Sequence, residues 1–199
     1  MNTLASIFSD IISTLLGLYA TIVLLRFIFQ LIKADFYNPI SQGIVKMTSP
    51  ILVPLRRIIP GFWGLDFAAL LLVIVIHIIT VSINLLLQGN NPFTHLGDIA
   101  IYASLKFITG FLNVFTFSLL ASIVLSFVAP MSRHPAAILV FQIAEPLMAP
   151  FRKIIPPMGG IDISPIFVFL ALGAAIKLLA ALAAMFGIPV HAMWLFVFV

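Results

Sequence analysis

Of 199 residues, 63% are hydrophobic and only 8% charged, where a water-soluble domain carries roughly 25% charged residues, so this chain cannot coat a water-facing surface and reads as an integral membrane protein. Its net charge of +4 would point to nucleic acid in a soluble chain; here the basic residues are assigned to membrane topology, and no nucleic-acid partner is expected. The absence of cysteine removes disulfides and thiolate metal or redox sites.

Met1 to Asp10 contains no Lys or Arg, so it lacks the basic flank of a signal peptide. The apolar run after it is expected to be a retained first span, Ile11 to Ile32. Asn38 to Pro60 is broken by proline. Pro39 suits the first position of a helix, and two helical turns to Met47 are predicted. Beyond them Pro50, Pro54 and Pro60 predict an irregular chain, lying at the interface or packed on the bundle, with Ile and Leu toward the membrane and arginines toward phosphates. Asp66 stands where an N-cap belongs and opens a second span, Phe67 to about Gln88.

A polar turn without Lys or Arg follows, Gly89 to Asp98. The apolar run Ile99 to Val128 is too long for one upright span. Its crossing is placed at Phe107 to Val128, with Ile99 to Lys106 as a surface lead-in or an extension. Pro130 to Pro156 forms a second interfacial segment. Asp162 reads as the second aspartate cap, and Ser164-Pro165 as a cap and first helical residue opening the fourth span, to about Phe186. For both aspartates, asparagine should substitute well unless the carboxylate also holds an arginine of the basic turn. The tail Ile188 to Val199 is too short to cross and is expected to lie flat, with Trp194 at headgroup depth.

The chain is a duplication. Pro39, Pro50, Pro54, Arg56, Ile58, Ile59, Pro60, Gly64 and Asp66 recur as Pro135, Pro146, Pro150, Arg152, Ile154, Ile155, Pro156, Gly160 and Asp162. The separation is constant, since 135 − 39 and 162 − 66 both give 96. The fold expected is all-α, in one membrane domain over 1–199. Four transmembrane helices form two parallel-repeat hairpins, about 11–88 and 107–184, each with a proline-broken interfacial amphipathic segment. Lys33, Lys46, Arg56 and Arg57 fall in the first hairpin segment and Arg133, Arg152 and Lys153 in the second, so both should face the cytoplasm, with both termini outside.

Ionisable residues within spans are functional candidates. Arg26 is expected to snorkel to the interface, and Lys106 to anchor at the outer edge. Lys177 either snorkels or pairs within the bundle. His77, near mid-bilayer, reads first as a hydrogen-bonded packing residue, with a proton relay as the alternative. His95, His134 and His191 lie outside the spans, which disfavours a bis-histidine haem. With no hydrolase, zinc-protease or phosphate-loop motif, neither cofactor, metal site nor catalysis is expected. Small residues such as Gly173, Ala174, Ala180 and Ala184 allow close helix approach, within the chain or between copies. The turns Arg56-Arg57 and Arg152-Lys153 have two readings: topology with anionic-lipid contact, or a proline-shaped docking surface for a membrane or cytoplasmic protein.

These residues carry a family resemblance. Asp35-Phe-Tyr-Asn-Pro39, Ser49-Pro50 to Pro60, Glu145-Pro146 to Pro156 and Gly159-Gly-Ile-Asp-Ile-Ser-Pro165 are similar to the YggT (or YlmG) family of small bacterial and plastid membrane proteins, in its two-copy proteobacterial form. The second copy has the fuller pattern, Asp162-Ile-Ser164-Pro165, where the first has Asp66-Phe-Ala-Ala69. The resemblance implies an inner-membrane protein linked to osmotic-stress tolerance and ion homeostasis, with no assigned reaction. A scaffold or assembly factor is favoured. A transporter, channel or accessory subunit for ion or osmolyte flux is the alternative.

Overall fold

The computed structural model describes residues 3–155 and 162–187. Six α-helices follow one another: α1 (Thr3–Leu31), α2 (Pro39–Ile58), α3 (Phe67–Leu87), α4 (Leu96–Val128), α5 (Pro135–Ile154) and α6 (Ser164–Met185). A 3₁₀ turn, Pro92–His95, precedes α4. Four helices are long and apolar enough to cross a membrane: α1, α3, α4 with its lead-in turn, and α6. At most 28% of any of their apolar windows is buried in the bundle, so the outer faces of the spans are left for lipid.

α1 packs along α3, α3 along α4, and α4 along α6, while α2 and α5 lie against the ends of the spans that precede them. The core is apolar, built on Val23, Ile28, Leu52, Val73, Leu119 and Val168. Polar contacts join the two repeats at one end of the bundle. Asn38 Nδ2 donates to the Pro135 carbonyl at 2.8 Å, and the Asp35 N–H to Gln142 Oε1 at 3.3 Å. The N-termini of α2 and α5 are therefore neighbours. Both amphipathic helices occupy the same end, as a parallel repeat requires.

The prolines do not break these helices, contrary to expectation. α2 runs unbroken through Pro50 and Pro54, and α5 through Pro146 and Pro150. A proline deletes one backbone donor and crowds the carbonyl four residues earlier. Two prolines four residues apart place both defects on one side of the helix. That side is exposed in both cases: Pro50, Pro54, Pro146 and Pro150 all face outward. The opposite face, Ser41, Ile44, Thr48 and Leu52, is buried and keeps its spacing. Pro60 lies just beyond α2; Pro156 lies outside the described residues, as do His191, Trp194 and the tail.

Other bounds shift as well. α1 begins at Thr3, well before Ile11. α4 is continuous from Leu96, so Ile99 to Lys106 is an extension of the helix rather than a surface lead-in. Between Asp98 and Lys106 there is no Gly or Pro, and nothing local stops the helix there. Between α2 and α3 the chain makes a tight turn in which the Leu65 N–H donates to the Phe62 carbonyl at 2.9 Å. A Cβ on Gly61 would sit 2.8 Å from the Leu65 carbonyl oxygen, so only glycine fits there. Trp63, at φ +52°, is 98% exposed at the tip.

Candidate functional site

The recurring arginine and aspartate meet in both repeats. Arg56, in the last turn of α2, donates through Nε and Nη2 to Asp66 Oδ2, the Nε bond being 3.2 Å. Asp66 is 3% exposed, and its other oxygen caps α3 by accepting the Ala69 N–H at 3.2 Å. Arg152 Nε likewise donates to Asp162 Oδ2 at 2.7 Å, and Asp162 Oδ1 accepts the Ser164 N–H at 2.9 Å. Each aspartate ties the end of an amphipathic helix to the start of the next span. A cap alone explains an acceptor at that position; the arginine explains why it is a carboxylate.

Ser164 does not cap. It is the first residue of α6, buried, and Ile163 holds the N-cap position without a side-chain bond. The Ser164 N–H is taken by Asp162 and the Ile166 N–H by the Ile163 carbonyl at 3.1 Å.

The second clasp is more elaborate. Arg152 Nη1 also reaches both oxygens of Glu145, at 2.7 and 2.8 Å. Burial works against charge on Arg152, but hydrogen bonds to Asp162 and Glu145 outweigh it and hold the guanidinium above its ordinary value. Burial alone would raise the Asp162 carboxyl; bonds from Arg152 and Ser164 prevail and hold it below the usual carboxylate range.

The four basic residues of the turns thus divide into two kinds. Arg56 and Arg152 are half-buried and paired inward, while Arg57 and Lys153 are exposed. The second pair is presented outward, free to meet a lipid or protein. The same helices start on matched caps. Asn38 Oδ1 accepts the Ile40 N–H at 2.9 Å, and His134 Nδ1 the Ala136 N–H at 3.2 Å, each ahead of Pro39 or Pro135.

Arg26 departs from its expected role. It does not snorkel: it is 8% exposed, and Nη1 donates to Thr48 Oγ1 at 2.6 Å, Ser49 Oγ at 3.1 Å and the Val45 carbonyl at 3.2 Å. The buried face of α2 lies across it and supplies all three acceptors. The signal was present in Thr48 and Ser49, four residues or fewer past Val45 on a segment expected to be irregular. A helical α2 puts all three acceptors beside α1.

Within the spans, His77 on α3 lies in electrostatic reach of Lys106 on α4, whose ammonium also sits 5.9 Å from the Tyr102 ring centre. Lys106 is half-buried within α4, and Lys177 is exposed on α6. At the end of the bundle opposite the clasps, Asn84 binds Ser9 at 2.7 Å and Ser13 at 3.0 Å, joining α3 to α1. Among the described residues, no three His, Asp or Glu side chains are grouped to hold a metal.

The comparisons with known proteins agree with this architecture. The model of the CCB3/YggT family matches twice, over residues 5–87 and 101–183; 101 − 5 and 183 − 87 both give 96, the offset of the repeat. An uncharacterized protein of Pseudomonas aeruginosa is 51% identical over 180 residues, covering 90% of this chain and 91% of its own. The Escherichia coli K12 protein YggT is 36% identical over 178 residues, 86% of each chain. An uncharacterized protein from the proC 3′ region of Vibrio alginolyticus is 38% identical over 164 residues, 82% of this chain and 88% of its own. No solved structure matches. With two clasped repeats in register with two matches to one family model, the chain belongs to the CCB3/YggT family.

Proposed function

We propose that this protein is a scaffold or assembly factor of the bacterial inner membrane, without catalysis of its own, that serves osmotic-stress tolerance. In this reading the clasped end faces the cytoplasm, α2 and α5 lie at the level of the lipid headgroups, and both termini are periplasmic. One observation carries it: in both repeats an arginine–aspartate pair fixes the end of the amphipathic helix while its neighbour, Arg57 or Lys153, is left exposed. Topology alone asks only for positive charge on that side. A pair of built, matched helix ends gives the charge a shape. Exposed basic groups near anionic lipid each gain about 1 kcal/mol.

The test separates shape from charge. Arg57→Gln with Lys153→Gln, combined with Gln42→Lys and Met131→Lys at exposed positions, keeps the net charge and moves it. The variant should insert normally yet lose growth under osmotic stress and lose partners that co-purify with the parent. Normal growth with unchanged partners would leave the turns as topology signals only.

A second reading, a subunit of an ion or osmolyte pathway, draws on polar atoms within the spans. Tyr19 Oη, Thr109 Oγ1 and Asn113 Oδ1 are buried with no hydrogen-bond partner among the described residues, a costly arrangement that a water-filled path opening between the helices would relieve. Flux into proteoliposomes containing the protein alone, abolished by Asn113→Leu, would favour it over the scaffold.

A further inference from the structure

A cavity of about 260 Å³ opens between the end of α1 and the start of α2. Its polar lining is Arg26, Gln30, Lys33, Ser41 and Arg56; Phe29, Phe36 and Ile44 contribute apolar wall. We propose that this cavity binds a phosphate-bearing anion, either the headgroup phosphate of a lipid or a free phosphate.

Arg26 makes the strongest case. A buried charge needs a counter-charge or it is costly. All hydrogen bonds from Arg26 to described residues use Nη1, and all three acceptors are neutral oxygens. The one buried carboxylate near it, Asp66, is engaged by Arg56. Three cations therefore line the cavity, Arg26, Lys33 and Arg56, and its lining among the described residues includes no carboxylate.

Two further observations point into the same space. Ser41 Oγ is buried, the residue being 4% exposed, and has no partner among the described residues although it lines the cavity. A buried hydroxyl without a bond costs free energy that a ligand oxygen would recover. Lys33 is held at φ +54°, a left-handed conformation that is strained for a non-glycine residue. That backbone places a lysine at the rim where a glycine would be cheaper.

The duplicated half acts as an internal control. What both halves need for the fold is retained at the 96-residue offset: the prolines, the arginine and the aspartate. The cavity set is not. Arg26, Gln30, Lys33 and Ser41 correspond to Ser122, Ser126, Ala129 and Ala137. Where Ser49 stands in the first repeat, the second has Glu145, and its carboxylate fills the Nη1 side of Arg152. The second repeat thus carries its own anion. In the first, Arg56 spends Nε and Nη2 on Asp66, and its Nη1 has no bond to a described residue. A phosphate there would occupy the place that Glu145 takes in the other half. Phosphate chemistry suits the donors, since guanidinium forks and a lysine point charge are the usual partners of phosphate oxygens.

This inference goes beyond the scaffold reading and does not depend on Arg57 or Lys153. It is tested on the full chain in maltoside micelles, which carry no phosphate, by calorimetric titration with inorganic phosphate and, separately, with dihexanoyl-phosphatidylglycerol. At least one probe should bind the parent saturably at one site. Binding of the lipid alone assigns the site to a headgroup; binding of both assigns it to the phosphate group itself, and of inorganic phosphate alone to a free anion. Arg26→Gln should abolish binding. Because that variant removes a buried network, Lys33→Gln with Ser41→Ala is the deciding one, and should weaken binding by roughly tenfold or more through loss of a cation and a hydroxyl. Lys46→Gln, an equal charge loss on the outward face of α2, should change it by less than about twofold. The proposal is overturned if neither probe binds the parent saturably, or if the Lys33/Ser41 double variant binds as the parent does. Loss of stress growth on moving Arg57 and Lys153, with intact phosphate binding, would separate the two ideas in the other direction.

Discussion

Asp66→Asn isolates the charge of the first clasp from its capping function. Asparagine is as good a cap as aspartate, so the bond to the Ala69 N–H should survive. The carboxylate's bonds from Arg56 would not survive as charged ones, and a hydrogen bond to a charged group contributes roughly 1.5–3 kcal/mol. Breaking a fully buried pair costs about 3–5 kcal/mol, much of it from the stranded partner charge. Here Asp66 is 3% exposed but Arg56 is 37% exposed, so the stranded guanidinium can turn to water and the lower range applies. Asp66→Asn should destabilise by about 1.5–3 kcal/mol. Asp66→Ala should add about 1 kcal/mol for the lost cap. In the second repeat Arg152 would keep Glu145, and Asp162 is 28% exposed, so Asp162→Asn should cost less, on the order of 1 kcal/mol. The assay is reversible unfolding in mixed micelles of maltoside and dodecyl sulfate, followed by circular dichroism. If Asp66→Asn proved silent while Asp66→Ala did not, the aspartate would be a cap only. If Asp162→Asn proved the more damaging of the two, the role assigned to Glu145 would be wrong.

Acid should weaken the second clasp. With its folded pKa depressed, Asp162 contributes stability that is complete above the ordinary carboxylate value of about 3.9 and is lost as pH falls below it through the lower folded value. Thermal melts between pH 6 and about 2.5 should show that loss in the parent and a shallower one in Asp162→Asn; parallel curves would count against the pair. Pro50→Ala with Pro54→Ala should stabilise the protein without changing helical content, because a proline in a helix interior costs up to about 3 kcal/mol relative to alanine; lost stability would assign the rings a packing role. For orientation, single cysteines at Met47 and Met131, both exposed, should be shielded in intact cells from an impermeant thiol reagent that labels one at Thr94. The opposite labelling pattern would invert the topology.

The spans were legible because apolar length and polar punctuation are local signals, as at Asp66-Phe67 and Gln88-Gly89. The repeat was legible because it is ungapped. The helicity of α2 and α5 was not: proline rules describe one residue in an otherwise solvent-neutral helix, and say nothing of a face on which two missing donors can be left outward. Misreading that helix hid the Arg26 site, since Thr48, Ser49 and Val45 converge only on a regular turn. The Arg56–Asp66 and Arg152–Asp162 pairs were half visible. Their constant spacing of ten residues stood in the sequence, but in the first repeat bringing them together takes the tight turn at Gly61, whose geometry the spacing does not reveal.

The outward prolines have one more consequence. Without an N–H at Pro50 and Pro54, the carbonyls of Lys46 and Pro50 have no donor four residues on, and the same holds for Gln142 and Pro146 in α5. Hydrocarbon supplies no donor for such oxygens, and each one left bare there costs several kcal/mol. The two helices are thereby gauged for depth by their backbone. They can rest among headgroups and water but cannot sink past them, whatever charge the neighbouring side chains carry. On the proposed placement, stripping every exposed lysine and arginine from that face would remove its attraction to anionic lipid and still leave the helices at the same level.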